Sequence, residues 1–183
     1  MSSILKVSEI QDPTNGNSAL TIGSNGLVTA GSNGIIIPGS VIQVKKSGTK
    51  VGANSITSSS YAEIATDYRV TITPRLSTSF MLIIFTYGAA VGGSTRMGVK
   101  TFVSTDNFST NNAIETHSHD ESFRNDTSSY MVARGNTTTI YDAYSTTDTL
   151  YFSQHFNRAA GSGNARVNDN TGQAFVTVME IAT

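Results

Sequence analysis

Residues 21–36 are one eight-residue phrase written twice with no gap: Thr21-Ile22-Gly23-Ser24-Asn25-Gly26-Leu27-Val28, then Thr29-Ala30-Gly31-Ser32-Asn33-Gly34-Ile35-Ile36. Each phrase is a Gly-Ser-Asn-Gly turn between two short apolar arms. A unit this small cannot bury its own apolar side chains, and stacked neighbours are the usual remedy. Two units are too few for a solenoid made from a single chain, so the missing partners are other chains or the rest of the protein. A flexible linker is the bland alternative, but a linker has no use for so many Ile, Leu and Val residues. The expectation is a short glycine-rich β stalk in which chains intertwine about a common axis and bury Ile22, Leu27, Val28, Ile35 and Ile37 between them. Ile37-Pro38-Gly39 breaks the pattern, which places a stalk at residues 1–39 and a head at residues 40–183.

From residue 40 the pattern is of strand after strand. Val41–Val44 is the first. Arg69–Thr73 alternates and is stopped by Pro74. Phe80–Phe85 is apolar at every position, as in a strand buried on both faces. Gly88–Gly93 reads as a turn. Met97–Ser104 puts Val99, Thr101 and Val103 on one face, and 105–129 is polar and loop-rich. Tyr130–Ala133 and Thr139–Tyr144 read as two short strands. Leu150–Phe156 sets Leu150, Phe152 and Phe156 on one face, and His155 opposite them is expected to face solvent or a neighbouring subunit. Gly161–Gly172 reads as a loop. Ala174–Ile181 closes the chain with Phe175, Thr177, Met179 and Ile181 on one face. Roughly eight strands with turns between them, and no convincing 3.6-residue period, predict an all-β protein: an antiparallel, jelly-roll-like β-sandwich head behind the β stalk.

Composition narrows the function. Hydrophobic residues are 38% and charged residues 14% of the chain, with a net charge of −1 and 12 scattered Lys and Arg. Without a basic patch no nucleic-acid partner is expected. The absence of cysteine excludes disulfides, thiolate zinc sites and a cysteine nucleophile, and fits synthesis in a reducing cytosol. Met1–Lys6 lacks the apolar core of a signal peptide, and Phe80–Phe85 is too short to cross a bilayer, so no membrane insertion is expected.

Candidate chemistry is sparse. His117 and His119, two apart, would share one face of a strand and, with Asp120, suit a divalent metal. An exposed polar loop is the favoured alternative. Asn168-Asp169-Asn170 carries calcium-like oxygens without EF-hand spacing and reads as a turn. There is no Gly-x-Ser-x-Gly nucleophile elbow, and Glu115, Asp120, Glu121 and Asp126 are near one another only in sequence. Tyr130, Tyr141 and Tyr144 would stack on sugars if they lined the outer end of the head, although a sandwich edge or subunit interface accounts for them more simply. No cofactor and no enzymatic activity are expected.

Ser2-Ser3-Ile4-Leu5-Lys6-Val7-Ser8-Glu9-Ile10-Gln11-Asp12 resembles the N-terminal tag of virion structural proteins of marine tailed phages, with Ser8 where an acidic residue is usual. Gly39–Val44, Tyr61–Pro74, Phe80–Ile83 and Thr177–Ala182 resemble the head of the same group, in the same order. The resemblance weakens between about residues 105 and 170. It implies a homotrimeric fibre or capsid-decoration protein, made in the host cytoplasm and resident in the virion. Ile4, Leu5, Val7 and Ile10 would dock to other virion proteins, and the head would point outward for host attachment. Two alternatives are kept: a lectin-like module binding a host surface glycan, and a metal-dependent depolymerase built on His117, His119 and Asp120.

Overall fold

The computed structural model describes residues 9–11, 18–22, 24, 28–30, 37–48, 53–109, 112–113, 123–127, 129, 131–144, 148–168 and 174–183. The chain divides into two compact units, Met1–Pro38 and Gly39–Thr183.

The first unit is an antiparallel three-stranded sheet, β1 (Glu9–Gln11), β2 (Ser18–Ile22) and β3 (Val28–Ala30), in that order. Thr21 pairs with Thr29 and Ile22 with Val28, so the equivalent threonines of the two phrases lie opposite each other across the β2–β3 ladder. Ile10 pairs with Leu20.

The second unit is an antiparallel β-sandwich. Its strands are β4 (Val41–Lys46), β5 (Asn54–Ile56), β6 (Ala62–Glu63), β7 (Val70–Ile72), β8 (Phe80–Val91), β9 (Arg96–Ser104), β10 (Asn112–Ala113), β11 (Phe123–Arg124), β12 (Met131–Tyr141), β13 (Leu150–Ala160), β14 (Ala165–Val167) and β15 (Phe175–Ile181). One sheet runs β4-β15-β8-β12, with β14 and β5 continuing beside the far end of β8; the other runs β10-β9-β13-β6, with β7 and β11 at its ends.

Alternation explains the core. Met81, Ile83, Phe85, Tyr87, Val176 and Val178 point inward from the first sheet and meet Met97, Val99, Val103, Leu150, Phe152 and Phe156 of the second. Tyr68, from a short 3-10 turn at Thr66–Tyr68, is fully buried against Phe85, and burial pushes its hydroxyl pKa up to about 12.

Several expectations change. The predicted turn at Gly88–Gly93 is strand as far as Val91, and the chain turns at Gly92–Thr95. The two short strands after Tyr130 are one, β12, running through Gly135; the rings of Tyr87 and Phe123 occupy the space where a side chain there would stand. The loop after Gly161 contains β14, pinned between β5 and β8. Phe80–Phe85 is fully buried on one face only: Phe80, Leu82 and Ile84 on the other are partly buried within the subunit.

Candidate functional site

The two sheets treat their outward faces in opposite ways. On the second sheet Lys100, Phe102, Ser153, His155 and Asn157 point away from the core, with Ser153 opposite Phe102 and His155 opposite both Lys100 and Glu63. This face is covered by its own chain. Arg69 donates to Glu63 through Nε (2.6 Å) and Nη2 (2.8 Å), and the Ser153 hydroxyl donates to the same carboxylate (2.6 Å). The His155 ring stacks on Phe102 at 4.0 Å and lies 6.2 Å from Phe108, whose loop is tied back by its N–H to the Ser104 hydroxyl. Arg69 lies over the Phe108 ring and also donates to Asn107. Asn157 donates to the Ser59 carbonyl.

His155 is therefore 6% exposed rather than facing solvent or a neighbour, because the Phe102 ring and Phe108 of the 104–109 loop pack on it and Glu63 of β6 pairs beside it. Burial, against the pull of Glu63 and with the push of Arg69, lowers its pKa to about 4, so it is neutral at physiological pH. Glu63 is held below the usual carboxylate range, chiefly by the Arg69 hydrogen bond against the opposing effect of burial. Serine, histidine and glutamate are neighbours here, but the serine hydroxyl donates to the carboxylate rather than to the imidazole. That order does not activate a nucleophile; it fastens a covering segment to the sheet.

A second carboxylate works the same way. Glu180 of β15 is fully buried and accepts from the backbone N–H of Arg75 (2.8 Å) and Leu76 (3.0 Å), from the Ser79 hydroxyl (2.6 Å) and from Gln43 Nε2 (2.7 Å). It fixes the loop between β7 and β8.

The outward face of the first sheet is uncovered among the described residues. Its ladder aligns apolar side chains across four strands: Val44, Met179, Leu82 and Ile140 form one row, and Val41, Ile181 and Phe80 the next. Val44 and Ile140 are each 55% exposed and Val41 is 52% exposed. Among the described residues Lys46, Arg134 and Arg166 are the charged side chains of this face; Lys46 lies over the Phe175 ring at 4.2 Å.

The residues singled out from sequence fall in different places. Tyr141 and Tyr144 stack on each other at 5.8 Å and pack half-buried against the core; Tyr141 stands edge-on to Phe152, and the Tyr144 hydroxyl bonds the Ser79 hydroxyl at 2.7 Å. Tyr130, His117, His119 and Asp120 lie outside the described residues, as do Ile4, Leu5, Val7, Leu27 and Ile35. Ile10, Ile22 and Val28 are strand residues of the first unit, and Ile37 is 59% exposed. Among the described residues no three metal-ligating side chains converge. Asn168 takes a left-handed φ of 64° and its N–H donates to Gly88, as a turn residue does.

No protein-family profile matches this chain, and no curated protein matches it.

The apolar row was present in the sequence as Phe80–Phe85 and the Phe175, Thr177, Met179, Ile181 alternation. What sequence alone did not supply was the register that aligns those residues with Val44 and Ile140. His155 was placed at solvent or a neighbouring subunit, and Glu180 was missed, for a related reason: alternation assigns a side chain to a face but is silent on what distant residues cover that face.

Proposed function

We propose that this chain is a non-catalytic structural component of a phage particle, a homotrimeric fibre or decoration protein held by its N-terminal segment and presenting its β-sandwich head outward. The observation that carries it is the division at Pro38. Residues 1–38 are a compact unit of their own, with strands of three, five and three residues, beside a head that already owns a closed core. A sheet that small has little apolar surface to bury within itself and gains stability by packing on copies of itself. The tandem phrases and the resemblance of both ends to virion proteins support the same reading, and tag-like residues ahead of β1 suit docking.

Light scattering on the full chain at micromolar concentration is expected to give three times the chain mass of 19.4 kDa. Removing residues 1–38 is expected to shift that mass toward one chain. A full chain that is monomeric at this concentration overturns the proposal.

A further inference from the structure

We infer that the outward face of the sheet β4-β15-β8-β12 is a second self-association surface, on the head itself, whose occupant is another copy of this chain. The inference rests on the reading of the protein as a self-assembling one, and adds to it where the heads touch.

The fold shows which outward face it leaves for assembly. On the second sheet the 104–109 loop and the side chains of Tyr61, Glu63 and Arg69, from the segment along its edge, cover polar and aromatic side chains, down to a buried histidine. On the first sheet it leaves Val41, Val44 and Ile140 more than half exposed, in ladder register with Ile181, Met179, Phe80 and Leu82. Strand β8 is apolar at six consecutive positions, 80–85, the pattern of a strand buried on both faces, yet within the subunit Phe80, Leu82 and Ile84 are only partly buried. The rest of that burial is left to an intermolecular partner.

Area argues for a tethered copy rather than a free partner. Four strands about 4.8 Å apart, each contributing about six residues at roughly 3.3 Å, make a flat patch of about 400 Å². That matches the patch size that marks an interaction site, but it is about half of the roughly 800 Å² per partner that a stable complex between free proteins buries. Such a face associates usefully when the partners are already held together, because a tether raises the effective concentration to about the millimolar range. Chains joined at their N-terminal units meet that condition. β4, the edge strand of this face, begins three residues after Pro38, so joining the first units also brings the β4 edges near one another.

Among the described residues the charged side chains of this face are Lys46, Arg134 and Arg166, all outside the two apolar rows, and apolar rows on a sheet are what another such sheet packs against.

The chain has no native cysteine, so introduced thiols report position cleanly. In the full-length protein, Val44→Cys with Ile140→Cys is treated with a bismaleimide spanning about 10 Å, the spacing of packed sheets. Thr105→Cys, exposed on the loop over the other sheet, is the control. The expected result is covalent dimers and trimers from the first variant and none from the second. Val44→Lys with Ile140→Lys is expected to raise the half-dissociation concentration about tenfold or more with an unchanged circular dichroism spectrum. If that variant loses its β spectrum, the cysteine variant decides. A multimeric protein whose Val44 and Ile140 thiols do not link chains, or link only to a different protein, overturns this inference and leaves the assembly reading standing. A monomeric full chain overturns both.

Discussion

Glu180 has four donors on two oxygens at zero exposure, and those donors come from β4 and from the loop ahead of β8. Burial alone would raise its pKa. The hydrogen bonds from Ser79, Gln43, Leu76 and Arg75 outweigh burial and hold it below the usual value of 4.5. A carboxylate depressed in the fold stabilises it fully above the unfolded-state value; that stability is lost as pH falls from 4.5 through the folded value. Glu180→Gln keeps the shape but turns an amide donor toward other donors. It is expected to cost about 2–3 kcal/mol at pH 7 and to flatten the acid limb of a urea-stability profile. A Glu180→Gln protein as stable as the wild type sinks the idea. His155 acts at higher pH. Its folded value near 4 lies below the ordinary 6.5, so the unfolded chain binds the proton first. Stability is therefore expected to fall as pH drops from about 6.5 toward 4. His155→Phe preserves stacking on Phe102, removes an Nε2 with no hydrogen-bond partner among the described residues, and should remove the upper part of that slope.

At the scale of elements, the turn from β13 to β14 is fixed by Gly161. Its φ is +91°, and a Cβ there would overlap the Ser94 carbonyl oxygen and stand 2.7 Å from the Thr95 Cα, backbone atoms that have little room to move. Gly39 is the comparison: φ is +81° with nothing within 4 Å. A side chain in the left-handed region costs about 1–2 kcal/mol, and overpacking adds about 1–3 kcal/mol. Gly161→Ala is expected to lose clearly more stability than Gly39→Ala in denaturant midpoint at unchanged slope; equal losses contradict the assigned clash. Which strands could be read from the sequence follows from the same local physics. β9, β13 and β15 alternate over enough residues to show period two and were legible, and β4 was legible as a short Val-Ile-Gln-Val run. β5 and β14 are three residues each and hold their places by pairing with each other and with β8 and by the core contacts of Ile56, Ala165 and Val167. Tyr130–Ala133 and Thr139–Tyr144 read as separate strands, whereas β12 runs on through Gly135, where the absence of a side chain makes room for Tyr87 and Phe123. The all-β sandwich was legible from spacing. The covered face with His155 was not, because its cover comes from residues distant in sequence.

For the whole molecule, the division at Pro38 separates two contributions to stability. Among the described residues the head's core is drawn from residues beyond 39: Tyr68, Phe85, Tyr87, Phe152 and the aliphatic side chains around them. Residues 39–183 alone are therefore expected to fold cooperatively, with a β-type circular dichroism spectrum. Assembly adds to this by mass action, since binding partners stabilise the native state in proportion to the logarithm of their concentration. If the first unit and the apolar face of β4-β15-β8-β12 both join chains, the full chain's melting midpoint should drop by a few degrees on tenfold dilution. The 39–183 fragment retains only the face. With about 400 Å² and no tether, its midpoint should hardly move over the same dilution. A scanning calorimetry series across two decades of concentration separates the cases. A full chain as insensitive to dilution as the fragment would show that residues 1–38 contribute no intermolecular burial, and a fragment as sensitive as the full chain would place the whole of assembly on the head.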